Sequence, residues 1–323
     1  MDRKRVFFAV VIVVVLAAAL GPLGCRRRAT KSRQLRFGYL PIASDLSFFV
    51  ALDRHFFASA GLDIEPVKFE TSNQAFEALV AGRIDAAAPL ALEAALALEA
   101  NTPSQFKILE MTAATATTRV HRIVVRPHSA IRTLRDLRGR EIGTFPGSQM
   151  VVFLKLILGR FLDPEREVTI RQIKANLQPQ ALEAGQVDAL FCLEPTCTQL
   201  ERRGLGRAVS VNPLYEFIQR PFPTAASVVA TRLCRENPQL VSQILSALRA
   251  VHAEIRSSPE KAAAVLPQYT PIEPDLAPFI ALYDYWGVES IDRDAVQRLA
   301  NLYADKGIIP KRVVTADLYA SGK

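Results

Sequence analysis

The sequence predicts an α/β protein built from two similar lobes, and an internal repeat is the main reason. Residues 78–86 (ALVAGRIDA) recur almost unchanged as residues 181–189 (ALEAGQVDA). Upstream of these, residues 38–41 (GYLP) correspond to residues 143–146 (GTFP), with nearly the same spacing to the second match. Two matches in one register indicate a duplicated structural unit.

Each copy of the repeat has the pattern of a helix end followed by a buried strand. Alanine and leucine suit the last helical turns, and Gly82 and Gly185 can adopt the left-handed conformation that ends a helix. The apolar runs that follow, residues 84–92 and 187–193, suit strands that are covered on both faces. Strands and helices therefore alternate in each half, which is the order of a mostly parallel sheet flanked by helices.

The remaining segments set the boundaries of the lobes. Residues 35–125 and 222–323 are expected to form the first lobe, and residues 126–221 the second. Beyond residue 231 the pattern is helical, with helices predicted at 238–257, 259–266, 274–286 and 292–306. Tyr283 and Trp286, in the third of these helices, are assigned to the core rather than to a binding site.

The N-terminus has the features of an export signal. Basic residues 3–5 precede an apolar run, residues 6–20, that is shorter than the roughly 20 residues of a membrane-spanning helix. We therefore expect a signal peptide over residues 1–24 and export of the body. An uncleaved membrane anchor is the alternative, because the apolar run can be extended through Gly24.

Cys25 is the expected point of membrane attachment. Residues 21–25 (GPLGC) resemble a bacterial lipobox, although Pro22 and Leu23 depart from its usual residues. In that class of signal, the cysteine is lipidated and becomes the first mature residue. Residues 25–34 would then form a lipidated basic tether at the membrane surface, on the periplasmic or outer face of the cytoplasmic membrane.

The charge of the chain does not indicate nucleic-acid binding. The formal net charge is +8, but residues 37–323 carry 31 basic and 31 acidic side chains. The excess of basic residues belongs to the signal and the tether, and the folded body is neutral, which argues against nucleic-acid binding.

Cysteine and histidine give no metal or catalytic signature. Cys192, Cys197 and Cys234 remain in the body, so at least one thiol stays free, and a Cys192–Cys197 bridge is an open alternative. Their spacing does not resemble a zinc site. The sequence contains no nucleophile elbow and no phosphate-binding loop, so neither a cofactor nor enzymatic activity is expected.

Candidate ligand-binding residues follow from the expected direction of the strands. Ligands of parallel sheets bind beyond the carboxyl ends of the strands, and two facing lobes would bring those loops around one cleft. Residues 147–149 form the richest loop, since the start of the following helix offers free N–H groups to an anion; an ordinary helix cap is the alternative. Glu194, after a buried strand, could pair with a ligand amine. The complete candidate set is Pro41, Ser44, Asp45, Thr71, Ser72, Asn73, Pro89, Thr112, Gly147, Ser148, Gln149, Met150, Asn176, Glu194 and Thr224.

These segments together resemble the periplasmic substrate-binding proteins of ABC importers, in particular the nitrate/sulfonate/taurine-binding and thiamine-precursor-binding family. The resemblance is carried by residues 38–41, 78–85, 134–148 and 181–188, together with the Glu194-Pro195 pair. It implies a type II periplasmic-binding-protein fold with two mixed, mostly parallel sheets and two hinge crossings.

The resemblance also implies a function. A monomer would capture a small organic ligand, such as a sulfonate, a taurine-like compound or a pyrimidine precursor, between two closing lobes and deliver it to a membrane permease. Gly147, Ser148 and Gln149 would hold the anionic or polar end of the ligand, and Glu194 would pair with an amine or ring nitrogen. Two alternatives stay open: an enzyme on the same fold, and a sensing module for a membrane partner.

Overall fold

The computed structural model describes residues 34–321, which contain eleven strands in two sheets. The signal peptide, Cys25 and nearly all of the tether expected from the sequence lie outside these residues. The strands are β1 (Leu35–Tyr39), β2 (Ile64–Lys68), β3 (Ala86–Ala91), β4 (Phe106–Ala114), β5 (His121–Val125), β6 (Arg140–Thr144), β7 (Val168–Gln172), β8 (Ala189–Leu193), β9 (Arg207–Val211), β10 (Phe222–Ala230) and β11 (Asp284–Gly287).

Thirteen α-helices connect and cover the strands in this part of the chain. They are α1 (Leu46–Asp53), α2 (Phe56–Ser59), α3 (Ser72–Val80), α4 (Leu92–Asn101), α5 (Ser148–Leu158), α6 (Gln178–Glu183), α7 (Thr196–Arg202), α8 (Pro213–Phe217), α9 (Thr231–Glu236), α10 (Pro238–Ser257), α11 (Pro259–Ala263), α12 (Leu266–Tyr269) and α13 (Arg293–Asp305). Short 3₁₀ helices cover Ala43–Asp45, Leu134–Leu137, Ala175–Leu177, Ala277–Phe279 and Ala316–Leu318. Across residues 34–321, no helix is both long and apolar enough to cross a membrane.

The two sheets confirm the predicted α/β architecture. The first sheet has the strand order β11-β4-β10-β3-β1-β2, and the second has the order β7-β6-β8-β5-β9. In each sheet three strands of the repeat pair in parallel, β1 with β2 and β3, and β6 with β7 and β8. The antiparallel pairs involve β4, β5, β9, β10 and β11, so both sheets are mixed.

The sequence repeat corresponds to the same local structure in both sheets. Gly82 and Gly185 have φ angles of 70° and 72°, so each takes the left-handed conformation predicted for it. Three residues later, Asp85 accepts a hydrogen bond from the N–H of Arg36, and Asp188 accepts one from the N–H of Glu141. These aspartates therefore tie β3 and β8 to the neighbouring repeat strand, which is a structural role.

Gly38 and Gly143 are a second matched pair, and each permits close packing. A Cβ atom on Gly143 would lie 2.6 Å from a methyl carbon of Leu190, and one on Gly38 would lie 2.8 Å from a methyl carbon of Ile84. Both distances are too short for a real side chain. Gly38 therefore lets β1 approach Ile84, which precedes β3, and Gly143 lets β6 approach Leu190 on β8.

Strand β5 corrects the expected boundary between the lobes. Residues 121–125 were expected in the first lobe, but β5 pairs with β8 and β9 of the second sheet. The chain crosses between the sheets twice, from β4 to β5 and from β9 to β10. A five-residue strand carries no signal of its own for the sheet that it joins, because either sheet can bury its apolar residues.

The helix predicted over residues 274–286 is wrong. The structure has a 3₁₀ turn at Ala277–Phe279 and then strand β11, which pairs with β4 at the edge of the first sheet. Pro278 lacks the N–H that a helix interior needs, and the following aromatic residues favour a strand. Tyr283 and Trp286 therefore lie at a sheet edge instead of on a helix.

Candidate functional site

A cavity of about 60 Å³ lies where the loops of the two sheets meet, and we call it the central cavity. The first sheet contributes the loops after β1 and β2 and the carboxyl end of β3, and the second contributes the loop after β6 and the last residue of β8. These are the carboxyl ends predicted to carry ligands. Its lining residues are Leu40, Ile42, Ser44, Thr71, Ser72, Asn73, Pro89, Ala91, His121, Phe145, Pro146, Gly147, Ser148, Gln149, Met150, Leu193, Thr224, Ala225 and Tyr283.

Most of the residues predicted from the sequence line this cavity. The structure brings together ten of them from segments far apart in the chain, while their contact with a ligand stays a prediction. They are Ser44, Thr71, Ser72, Asn73, Pro89, Gly147, Ser148, Gln149, Met150 and Thr224.

The other five candidates lie beside or behind the central cavity. Pro41, Asn176 and Glu194 line a neighbouring cavity of about 90 Å³. Asp45 is buried and accepts hydrogen bonds from the N–H of Leu40 and the hydroxyl of Ser44, and burial raises its pKa well above the usual value. The Thr112 hydroxyl lies 2.7 Å from that of Thr224, so it supports the wall from behind.

The start of α5 joins the two sides of the central cavity. Ser148 Oγ donates to Glu93 Oε2 on α4 at 2.8 Å, and Gln149 Nε2 donates to the carbonyl oxygen of Thr224 on β10 at 2.9 Å. Gly147, whose φ of 118° favours glycine, donates its N–H to the side chain of Gln172 at 2.7 Å. The loop expected to hold an anion thus makes hydrogen bonds to a carboxylate on α4 and to a carbonyl of the first sheet.

Glu194 forms a buried ion pair with Arg122. Its carboxylate is fully buried, lies 3.1 Å from the guanidinium of Arg122, and accepts hydrogen bonds from the hydroxyl and N–H of Thr198. Burial raises its pKa to about 7, although Arg122 and Thr198 act in the opposite direction. The expectation that Glu194 pairs with a ligand amine in the central cavity is therefore corrected, since its partner is an arginine of the same sheet.

The cysteines next to this ion pair are free. Cys192 and Cys197 are both buried, with their Sγ atoms 2.7 Å apart, and Cys234 is half-buried elsewhere. Burial raises the pKa of the Cys197 thiol well above its usual value. The Cys197 thiol is therefore held in the protonated state, and Cys192 and Cys197 pack as small apolar groups.

The central cavity carries no formal charge. Its lining residues, all within the described part of the chain, include no lysine, arginine, aspartate or glutamate. His121 is the only titratable imidazole among them, and burial lowers its pKa to about 3, so the ring is neutral at physiological pH. About half of the lining side chains are apolar, and the others are hydroxyl, amide, phenol and imidazole groups.

Two polar residues of the wall were missed from the sequence, His121 and Tyr283. His121 begins β5 opposite Leu193, the last residue of β8, and Tyr283 directly precedes β11. Both strands are antiparallel to their neighbours, so their amino ends reach the edge where the parallel strands have their carboxyl ends. That rule could have identified both residues if the pairing of the strands had been known.

Solved structures with this fold include several binding proteins. The alkanesulfonate-binding protein SsuA from Xanthomonas axonopodis pv. citri, bound to MOPS, has a TM-score of 0.71 and 22% identity, with 88% of this chain and 97% of that chain covered. The periplasmic aliphatic sulphonate binding protein SsuA from Escherichia coli has a TM-score of 0.71 and 18% identity, covering 89% and 97%. At such identities, the likeness establishes the fold.

A third similar structure holds an aromatic sulfur compound. It is a mutant of DszB in complex with biphenyl-2-sulfinic acid, with a TM-score of 0.63 and 17% identity, covering 89% of this chain and 96% of that chain. A separate comparison with curated protein sequences found none that matches this chain.

The sequence itself also carries a family pattern. The pattern of the NMT1-like family matches residues 28–267, which is well over half of the chain and includes both repeats and most of the cavity-lining residues. The fold, the position of the central cavity and this match agree, and the chain belongs to the NMT1-like family.

Proposed function

We propose that the protein is the solute-binding component of an ABC importer. It captures a small organic ligand between its two lobes and delivers it to a membrane permease. The observation that carries the proposal is the central cavity, because both sheets line it and the start of α5 makes hydrogen bonds across it. A ligand that contacts both sides favours the closed state over the open one, which a ligand on one side cannot do.

Binding without catalysis is part of this proposal. The hydroxyls of Ser44, Ser148 and Thr224 in the cavity wall donate to Asp45, Glu93 and Thr112, so none of these three is paired with His121. The neutral ring of His121 lies near Tyr283, at 3.4 Å between Nε2 and the phenol oxygen. The sulfonate-binding proteins with the same fold support solute binding as the role of the fold here.

Thermal unfolding of the full chain with candidate solutes tests the proposal. At a 100-fold excess over its dissociation constant, a bound solute should raise the free energy of unfolding by about 2.7 kcal/mol. Sulfonates, amino acids and pyrimidines are the classes to screen. Ala91→Phe, which fills part of the cavity, should abolish the solute-dependent stabilisation, whereas Ala81→Phe, at the exposed residue directly after α3, should preserve it. An equal stabilisation in both variants would place the solute elsewhere.

Attachment to the outer face of the cytoplasmic membrane through Cys25 completes the proposal, with the protein acting there as a monomer. The lipobox-like residues 21–25 are its support. Fatty-acid labelling in a bacterial host should give a lipidated protein, and Cys25→Ser should remove the label. Retention of the label in that variant would contradict lipidation at this residue.

A further inference from the structure

Two polar atoms at the central cavity have no hydrogen-bond partner. His121 Nδ1 and Gln149 Oε1 are both buried, and neither is paired with another of the described residues. Buried polar groups in folded proteins are almost always satisfied, so each unpaired one requires an explanation. Because both side chains line the same cavity, a ligand that pairs with them is the explanation that accounts for the two together.

The orientation of Gln149 determines what its free atom requires. Its Nε2 lies 2.9 Å from the carbonyl oxygen of Thr224, and a carbonyl oxygen can only accept a hydrogen bond. The amide must therefore present its NH₂ group to Thr224, and the remaining atom, Oε1, is an acceptor. A ligand group that satisfies Oε1 has to be an N–H or O–H donor.

His121 and Tyr283 together offer a hydrogen-bond donor, whereas Gln149 Oε1 offers an acceptor. A neutral imidazole has one donor and one acceptor nitrogen, and its Nε2 lies 3.4 Å from the phenol oxygen. If the phenol donates to Nε2, Nδ1 carries the proton and can donate to a ligand. If Nε2 donates instead, Nδ1 is an acceptor and the phenol proton of Tyr283 is available to a ligand. Either arrangement leaves the pair with a donor that an acceptor on the ligand can use.

The wall is unfavourable to an anion. It contains no cationic side chain, and Ser148 at the start of α5 already donates its hydroxyl proton to the carboxylate of Glu93. The acceptor-only oxygens of a sulfonate would face Gln149 Oε1, which is also an acceptor. The apolar part of the wall, including Phe145 and Leu193, suits an uncharged body.

We propose that the solute is an uncharged small molecule with an amide-like group, whose N–H donates to Gln149 Oε1 and whose acceptor oxygen or nitrogen meets the His121–Tyr283 pair. The inference rests on the proposed function, since it names the class of ligand for the same cavity. It distinguishes this protein from a receptor for sulfonates, which would need donors where the wall offers an acceptor.

Matched pairs of small probes test the inference on the full chain. Acetamide and acetate, methanesulfonamide and methanesulfonate, and benzenesulfonamide and benzenesulfonate differ within each pair by an NH₂ group in place of an anionic oxygen. Calorimetric titration should show that the dissociation constant of the uncharged member of a pair is at least about tenfold lower than that of the anionic member.

Two variants assign that preference to the named atoms. Gln149→Met removes the acceptor and should reduce the preference to within about threefold, and His121→Phe should weaken the uncharged probe without strengthening the anion. Gln180→Met, the same substitution at an exposed site on α6, should leave the preference unchanged. A preference that survives both Gln149→Met and His121→Phe would overturn the assignment.

The outcomes separate this inference from the proposed function. Tighter binding of the anionic members would overturn the inference and leave solute binding in place. Binding of neither member of any pair at roughly 10 mM, about tenfold a millimolar dissociation constant, would also overturn the inference. The proposed function is contradicted only if no solute class stabilises the protein in the thermal screen.

Discussion

Replacing Arg122 with methionine should lower the free energy of unfolding by about 3–5 kcal/mol at pH 8, because the substitution leaves the carboxylate of Glu194 buried without its cation. Arg122 is only 7% exposed, and its guanidinium lies 3.1 Å from Glu194 and 3.5 Å from Glu201. The pair is enclosed by protein, so water cannot replace the missing partner.

The loss of stability in Arg122→Met should depend on pH, and the pKa of Glu194 determines whether it is larger at low or at high pH. Burial raises this pKa from 4.5 to about 7, so the folded carboxyl holds a proton more tightly than the unfolded one. Stability from this group is therefore fully present below the unfolded pKa of 4.5 and is lost as the pH rises through about 7. Without Arg122, the carboxyl can avoid the buried charge by protonation, so the variant should lose less at pH 5 than at pH 8.

Urea unfolding at the two pH values measures this difference. Glu194→Gln is the matched control: it removes the titrating group and should abolish the part of the pH dependence that Glu194 contributes. The Arg122→Met substitution in the Glu194→Gln background should cost much less than in the wild type, since no buried charge is left behind. An equal loss from Arg122→Met at pH 5 and pH 8 would contradict the ion pair as described.

Glu110→Ala should cost a similar amount, about 3–5 kcal/mol, because Glu110 is the centre of a buried polar network in the first sheet. Its carboxylate is fully buried, accepts hydrogen bonds from the hydroxyls of Ser47 and Ser227 at 2.7 Å each, and pairs with Nε2 of His252. Burial raises the pKa of Glu110, but the attraction of His252 and these hydrogen bonds outweigh it, and the net pKa is lower than usual.

The substitution removes the shared acceptor of three groups. Two hydroxyls and the imidazole would be left buried and unpaired, and a cavity would remain where the side chain was. Glu110→Gln preserves the shape and one acceptor oxygen, so it should cost clearly less than Glu110→Ala in urea unfolding at pH 7. Equal losses for the two substitutions would contradict this account, because they would show that neither the retained shape nor the remaining acceptor oxygen of glutamine stabilises the site.

The repeat explains how much of the fold the sequence could predict. Gly82 and Gly185, followed by Asp85 and Asp188, mark the same helix end and strand start in both sheets, so the positions of the parallel strands followed from local pattern. The loops at their carboxyl ends followed as well, which is why Ser148 and Thr71 were placed at one cavity. The local sequence pattern was sufficient to predict the position of a residue wherever its neighbours in space belong to the same repeat.

Residues whose surroundings come from antiparallel strands could not be placed in this way. Arg122 on β5 lies opposite Cys192 on β8, and only that pairing brings its guanidinium to Glu194, which is distant in the chain. The wall position of Tyr283 depends on β11 joining the edge of the first sheet at β4. In both cases the determining contact is between distant strands, and no local pattern encodes which strands will pair.

A crystal structure of the full chain with the probe that stabilises it most tests the central claim most directly, which is that one solute is held by the loops of both sheets. The account predicts a solute in the central cavity that contacts the first sheet's side at Thr71 or Asn73 and the second sheet's side at Gln149. A solute bound outside this cavity, or in contact with only one of the two sides, would contradict it.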